Sequence, residues 1–330
     1  MKSVKYGLLG ERLSHSYSKI IHNLFGNDEY ELLSVDAGGL DRLLSSRDFL
    51  GLNVTIPYKK TVIPYCDELS DTARAVGCVN TLVIENGRLI GHNTDYAGFS
   101  EMARRAGISF RGARVLILGS GGTSLTARAV AAAEGATEIA VVSRSGRINY
   151  ANLGDFSDWD ILINTTPVGM FPDNGKCLVK LNDFTSLKGV LDVIYNPLRT
   201  ELLFDAKDLG IPYANGLSML VWQAKYAHEL FFGTKLSEED TGRVLSRLER
   251  DMSNAVLVGM PGCGKTRVGK RLAEKLGRVF IDTDAEIEKK AGRPIPDIFA
   301  ADGEEAFRRL ESEAVREAGK RSGAVIATGG

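Results

Sequence analysis

The sequence predicts an α/β fold, and three observations carry that prediction. Strand-like and helix-like segments alternate almost throughout the chain. Two short apolar strands run straight into glycine clusters that are followed by helix-forming stretches. An Asn86-Gly87 pair separates the apolar runs Thr81–Glu85 and Arg88–Gly91, which is a strong hairpin signal.

Composition sets the limits. The 330 residues are 44% hydrophobic and 25% charged, the composition of a folded globular chain. Lys plus Arg number 41 against 42 Asp plus Glu, a net charge of −1, which argues against a nucleic-acid or membrane-surface role. Apolar runs such as Val115–Leu118 are far shorter than the ~18 residues of a membrane span. The first residues carry no secretion signal, and the four scattered cysteines have no CxxC spacing, so a cytoplasmic chain without disulfides or a metal site is expected.

The elements follow in order. In Asn53-Val-Thr55-Ile-Pro57-Tyr-Lys59, a period of two puts Asn53 and Thr55 on one strand face, Pro57 ends the strand and Lys59 stands at its mouth. The hairpin returns the chain from Asn80 to Asn93-Thr94-Asp95, so Asn80 and Asp95 should lie close together. Asp95 is also placed to cap a helix over 96–105. The strand 115–118 leads into Gly119-Ser120-Gly121-Gly122-Thr123 and a helix over 126–133, a turn whose free amides suit a pyrophosphate. The next strand, 138–142, ends in Ser143-Arg144-Ser145. An arginine where an NAD enzyme usually carries an acid favours the 2′-phosphate of NADP. A polar stretch from 233 to 253 reads as a helix and then a connector over 246–251. After it, Gly259-Met-Pro-Gly262-Cys-Gly264-Lys265-Thr266 fits the P-loop pattern, with Lys265 for the outer phosphates and Thr266 for Mg²⁺. Strands are expected at 256–258, 279–281 and 324–326.

Eight blocks, in order, resemble the shikimate dehydrogenase family over residues 1 to about 245. They are His15-Ser16-Tyr-Ser18 with Ile21-His22-Asn23; Asn53 to Lys59; Gly77-Cys-Val-Asn80-Thr-Leu; Asn93-Thr94-Asp95; the Gly119 turn; Ile163-Asn164-Thr-Thr-Pro167-Val-Gly169-Met170; Asp192-Val-Ile-Tyr195-Asn-Pro197; and Asn215-Gly216 through Gln223. The resemblance implies reversible reduction of 3-dehydroshikimate to shikimate with NADP(H). Lys59 and Asp95 would flank the reacting C3 oxygen, with Lys59 moving the proton. Ser16, Ser18, Thr55, Asn80, Tyr195 and Gln223 would bind the substrate, and Val193 and Gly216 would meet the nicotinamide end. Lys19, Ser218 and His92 depart from the family's usual residues at the rim and the cofactor end.

After the P-loop, Phe280-Ile-Asp282-Thr-Asp284, Phe307-Arg308-Arg309 and Thr328-Gly329-Gly330 resemble shikimate kinase, in a domain like the nucleoside monophosphate kinases. By that resemblance Gly259, Gly262, Gly264, Lys265 and Thr266 would hold ATP, with Asp282 ordering Mg²⁺ through its waters. Asp284, Arg308, Gly329 and Gly330 would hold shikimate. The kinase pattern is interrupted at Gly330, so no kinase activity is expected of this chain. The expected organisation is a mixed-sheet substrate domain (1–97 with 217–245), a Rossmann-like NADP domain (98–216), a linker (246–251) and a partial P-loop domain (252–330). The readings to be separated from this one are an NAD-preferring quinate/shikimate dehydrogenase and a ligand-binding sensor without turnover. The partners expected are small molecules, with the chain a monomer or homodimer.

Overall fold

A computed structural model describes residues 5–13 and 16–329. The chain divides into two compact units. The first comprises 1–167, 177–195 and 201–246; the second comprises 168–176, 196–200 and 247–330.

The first unit carries two sheets. Its early elements are β1 Tyr6–Gly10, α1 Ser18–Leu24, β2 Tyr30–Ser34, α2 Ala37–Ser46, β3 Gly51–Val54, β4 Glu68–Leu69, α3 Asp71–Val76, β5 Thr81–Glu85, β6 Arg88–His92 and α4 Thr94–Arg105. The strands form a six-stranded sheet in the order β2-β1-β3-β5-β6-β4. It is mixed: β1 runs parallel to β2 and β3, whereas β5 is antiparallel to β3 and β6. The β5–β6 hairpin turns on Asn86 and Gly87, both at positive φ, which is the mirror-image turn an Asn-Gly pair favours. Leu9, Leu40, Leu52, Val62, Leu82 and Leu89 build its core.

Next come β7 Arg114–Leu118, α5 Gly122–Ala133, β8 Glu138–Val142, β9 Ile161–Asn164, β10 Gly189–Asp192, α6 Glu201–Asp208, β11 Tyr213–Asn215 and α7 Leu217–Phe232. Their strands make a parallel sheet ordered β11-β10-β9-β7-β8. In such a sheet, ligands bind beyond the carboxyl ends of the strands, where the order reverses about β7. The glycine turn follows β7. Val115, Ile117, Ile161, Ile163 and Leu191 are fully or nearly fully buried, as expected of strands covered on both faces.

Several boundaries differ from the sequence reading: the strands expected at 256–258, 279–281 and 324–326 lie at Ala255–Leu257, Phe280–Asp282 and Val325–Ala327, and the helix expected over 126–133 begins at Gly122. The strand after Gly51 ends at Val54, because Tyr58 N–H donates to Thr55 O and starts a turn before Pro57. The connector expected over 246–251 is instead helix: α8 runs from Glu238 to Met252. Its Val244, Leu245, Leu248 and Met252 recur at helical spacing and are buried, so one apolar face carries the helix through its charged residues. Ser237 caps it, its Oγ accepting from Asp240 N–H at 3.0 Å.

The second unit holds β12 Ala255–Leu257, α9 Lys265–Leu276, β13 Phe280–Asp282, α10 Thr283–Ala291, α11 Ile295–Gly319 and β14 Val325–Ala327. Helix α11 is interrupted at Gly303, φ +78°. The three strands are parallel in the order β12-β14-β13. No described helix is long and apolar enough to cross a membrane.

Candidate active site

The chemistry converges at the carboxyl end of β3 and the start of α4. Lys59 Nζ donates to Asp95 Oδ2 at 2.5 Å, and both side chains are mostly buried. Burial by itself lowers a lysine's pKa. Here the Asp95 charge and hydrogen bond outweigh it, and the ammonium is held above its ordinary value of 10.5. Asp95 does not cap α4. That role belongs to Asn93, whose Oδ1 accepts from Tyr96 N–H at 3.0 Å. The expectation that Asp95 was the cap fails because the helix starts two residues earlier, at Thr94. Asp95 then lies in the first turn, with its carboxylate free to meet Lys59.

The hairpin delivers Asn80 as expected. Its Oδ1 accepts from Thr94 N–H at 2.7 Å, and its Nδ2 donates to Thr94 Oγ1 at 3.0 Å, which fixes it beside the residue preceding Asp95. Thr55 N–H donates to Leu9 O, and a Cβ added to Gly10 would lie 2.7 Å from Thr55 Cγ2. The end of β1 and the end of β3 therefore close on each other. Ser16 Oγ accepts from Ser18 N–H at 3.2 Å, and the Tyr17 ring between them meets Tyr195 edge-on at 5.9 Å. Burial, with the neighbouring Tyr17, holds the Tyr195 phenol above its usual pKa. Gln223 on α7 is buried, and its Nε2 donates to Leu220 O. A Cβ added to Gly98 on α4 would lie 3.0 Å from Gln223 Cβ, so α4 and α7 approach closely there.

The glycine turn adjoins this cluster. A Cβ added to Gly122 would lie 3.9 Å from Lys59 Cδ. Gly119 has φ +101°, and any side chain there would strike Thr165 and Thr166. Gly121 precedes α5 with no side-chain cap, and nothing lies within 4 Å of where its Cβ would be. The turn is thus a bare cradle of amides at the start of a twelve-residue helix, which suits a phosphate. Ser120 and Gly121 line the open side of the turn; Gly121 is exposed, as are Arg144 and Ser145 beyond β8 in whole or in part. Gly119 N–H donates to Val142 O, which brings the Ser143-Arg144-Ser145 end of β8 alongside the turn. On the other side, Val193 N–H donates to Asn164 O, and Asn164 Nδ2 donates to Asp192 Oδ1 at 3.0 Å. A Cβ on Gly216 would collide with Val193 O, so these two backbones touch.

In the second unit, Lys265 Nζ donates to Gly259 O at 2.6 Å, and Thr266 Oγ1 donates to Asp282 Oδ2 at 2.7 Å. Gly262 and Gly264 take positive φ. A Cβ on Gly329 would lie 2.7 Å from Asp284 Oδ1 and 3.1 Å from Glu311 Oε1. Burial, then the charges of Asp282 and Glu311, raises the Asp284 pKa above its usual value. Arg308 is exposed and paired with Glu311 and Glu304, so Asp284, Gly329 and Arg308 gather around Glu311. Gly330, like His15, lies outside the described residues.

Sequence reasoning missed Tyr30, Thr81 and the capping role of Asn93. Asn53, which the strand period puts on one face with Thr55, spends its amide on Tyr30 and Thr81.

The comparisons with known proteins agree with this geometry. Residues 8–82 match the family model "Shikimate dehydrogenase substrate binding domain", and residues 261–330 match the model "Shikimate kinase". The shikimate dehydrogenase (NADP(+)) of Clostridium perfringens is 35% identical over 265 residues, 74% of this chain and 98% of that protein. The crystal structure of a chorismate mutase/shikimate 5-dehydrogenase fusion protein from Clostridium acetobutylicum superposes with a TM-score of 0.70 at 32% identity, covering 76% of this chain and 98% of that one. Shikimate 5-dehydrogenase from Thermus thermophilus, in complex with NADP(H) and shikimate, gives a TM-score of 0.66 at 28% identity over 74% of this chain and 99% of that one. With a relative matched over nearly its whole length, and with Lys59, Asp95 and the glycine turn assembled in one place, the chain belongs to the shikimate dehydrogenase family.

Proposed function

We propose that the chain interconverts 3-dehydroshikimate and shikimate using NADP(H). One observation carries the reading: the Lys59–Asp95 ion pair lies beside Gly122 of the glycine turn. The Gly119–Thr123 turn would hold the pyrophosphate, Ser143, Arg144 and Ser145 the 2′-phosphate, and Val193 and Gly216 the ring end. The bound nicotinamide supplies the hydride chemistry. The residues of the chain supply the rest. A carbonyl oxygen that gains negative charge needs a proton and a positive neighbour, and the Lys59 ammonium offers both. Asp95 aims the ammonium, so Lys59 donates a proton to the C3 oxygen in reduction, and in oxidation its deprotonated amine takes that proton back. Ser16 and Ser18 would take the substrate carboxylate. Thr55, Asn80, Tyr195 and Gln223 would take the carboxylate or the ring hydroxyls. The exposed Arg144 supports NADP over NAD, because a guanidinium suits a phosphate. We place the enzyme in the cytoplasm, as a monomer or homodimer.

For residues 252–330 we infer an ATP- and shikimate-binding module. The uncapped start of α9 at Gly264 and the oxygens of Thr266 and Asp282 suit nucleotide phosphates and a hard divalent cation, Mg²⁺. Asp284, Arg308 and Gly329 would face shikimate.

The test is NADP⁺ reduction with shikimate. Wild type is expected to turn over, with NADP⁺ preferred to NAD⁺ and shikimate to quinate. Lys59→Ala is expected to lose at least about 100-fold in kcat while binding NADPH within about twofold. An inactive wild type, or an undiminished Lys59→Ala, overturns the assignment.

A further inference from the structure

Tyr30 and His22 are fully buried and belong to no role given so far. Their rings stack face to face, 3.9 Å between centroids and 8° from parallel. No hydrogen bond of good geometry reaches either ring nitrogen of His22, and Asn53 is the side chain that favours its charged form. The His22 ring pins the phenol, and the Tyr30 hydroxyl donates to Asn53 Oδ1 at 2.7 Å.

From that bond a chain of polar contacts runs through Asn53 and Thr81 to Asn80. With its oxygen toward Tyr30, Asn53 turns its Nδ2 to Thr81 Oγ1, at 3.0 Å. Thr81 Oγ1, which accepts from Asn53, faces Asn80 Oδ1 at 3.1 Å and Thr94 Oγ1 at 3.2 Å. Asn80 Oδ1 also accepts from Thr94 N–H at 2.7 Å, an obligate donor that by itself turns the carboxamide oxygen this way, and Thr94 Oγ1 lies 3.2 Å from the same oxygen. The Asn80 Nδ2 has two protons, and one goes to Thr94 Oγ1. We propose that Tyr30 is a positioning residue: through Asn53 and Thr81 it braces the Asn80 carboxamide, whose orientation the Thr94 N–H sets, so that the remaining N–H is held toward an oxygen of the substrate. The inference rests on the dehydrogenase reading above and adds to it a support for one contact. Burial keeps the Tyr30 phenol protonated far into alkali, so the brace holds across the working range of pH.

The experiment is steady-state kinetics on the full chain with shikimate and NADP⁺. Tyr30→Phe keeps the stacked ring and removes only the hydroxyl. It is expected to raise KM for shikimate roughly 5- to 10-fold and to leave kcat and KM for NADP⁺ within about twofold. In an Asn80→Ala background the same substitution is expected to change KM for shikimate no further. An unchanged KM for shikimate in active Tyr30→Phe overturns the inference alone. So does a parallel rise in both KM values, or a full effect persisting without Asn80. A wild type that does not turn over shikimate defeats the functional reading and this inference together.

Discussion

Lys59 keeps its charge where burial opposes it, and the sign of its shift makes a pH prediction. Its folded-state pKa lies above 10.5, so the ammonium persists through neutral and mildly alkaline solution. Reduction of 3-dehydroshikimate, which consumes that proton, should be flat in kcat from about pH 7 and fall only as pH rises through the raised value. Stability follows the same sign: the contribution of the pair is complete below 10.5 and is lost as pH rises through the folded-state value. His22 behaves oppositely. Burial, then the neighbouring His228, lowers its pKa to about 3, so the folded chain refuses a proton that the unfolded chain accepts near 6.5. Stability should therefore drop as pH falls from 6.5 toward 3. His22→Phe, measured by urea unfolding, should remove on the order of 2 to 3 kcal/mol of the loss between about pH 7 and 4. The nearness of Asn80 to the start of α4 was legible because a hairpin brings its two ends together, and Lys59 was legible as the residue after a strand end, while the roles of Lys59, Asp95 and Asn80 were implied only by the family resemblance. Tyr30 and His22 were not legible as a pair, because stacking depends on how α1 packs against the sheet edge.

At the scale of elements, α4 ties stability to chemistry. Asn93 caps the helix and its Nδ2 donates to Cys78 O at 2.9 Å, while Asp95 rides in the first turn. Asn93→Ala should cost about 1 kcal/mol in thermal unfolding and lower kcat as well, since the turn that aims Asp95 loosens. Two neighbouring residues, Asn93 and Asp95, both have cap chemistry, and a sequence does not say which of them the backbone leaves outside the helix. The same limit applied at α8. Its charges from 246 to 251 suggested a connector, yet Leu248 and Met252 kept the apolar face in phase. Leu248→Ala should cost about 2 to 4 kcal/mol, read by chemical denaturation.

Across the whole molecule, two units of different construction share one chain. The first has sheets of six and five strands, and the second has a sheet of three. Calorimetry should resolve two transitions, and saturating NADP⁺ should raise only that of the first unit. A single transition that shifts as one would contradict this. The glycine turns after β7 and β12 were readable in advance, because a bare-backbone turn between a strand and a helix leaves a compact local signature. The contact between the Gly216 and Val193 backbones follows from the pairing of β10 with β11 and has no local pattern of its own, so only the family resemblance put the two together.

The ion pair at 2.5 Å has one more consequence. An ammonium and a carboxylate that cancel each other project little field into solvent. A carboxylate-bearing substrate would then be drawn in by hydroxyl dipoles rather than by long-range attraction, and its association rate should vary little with ionic strength.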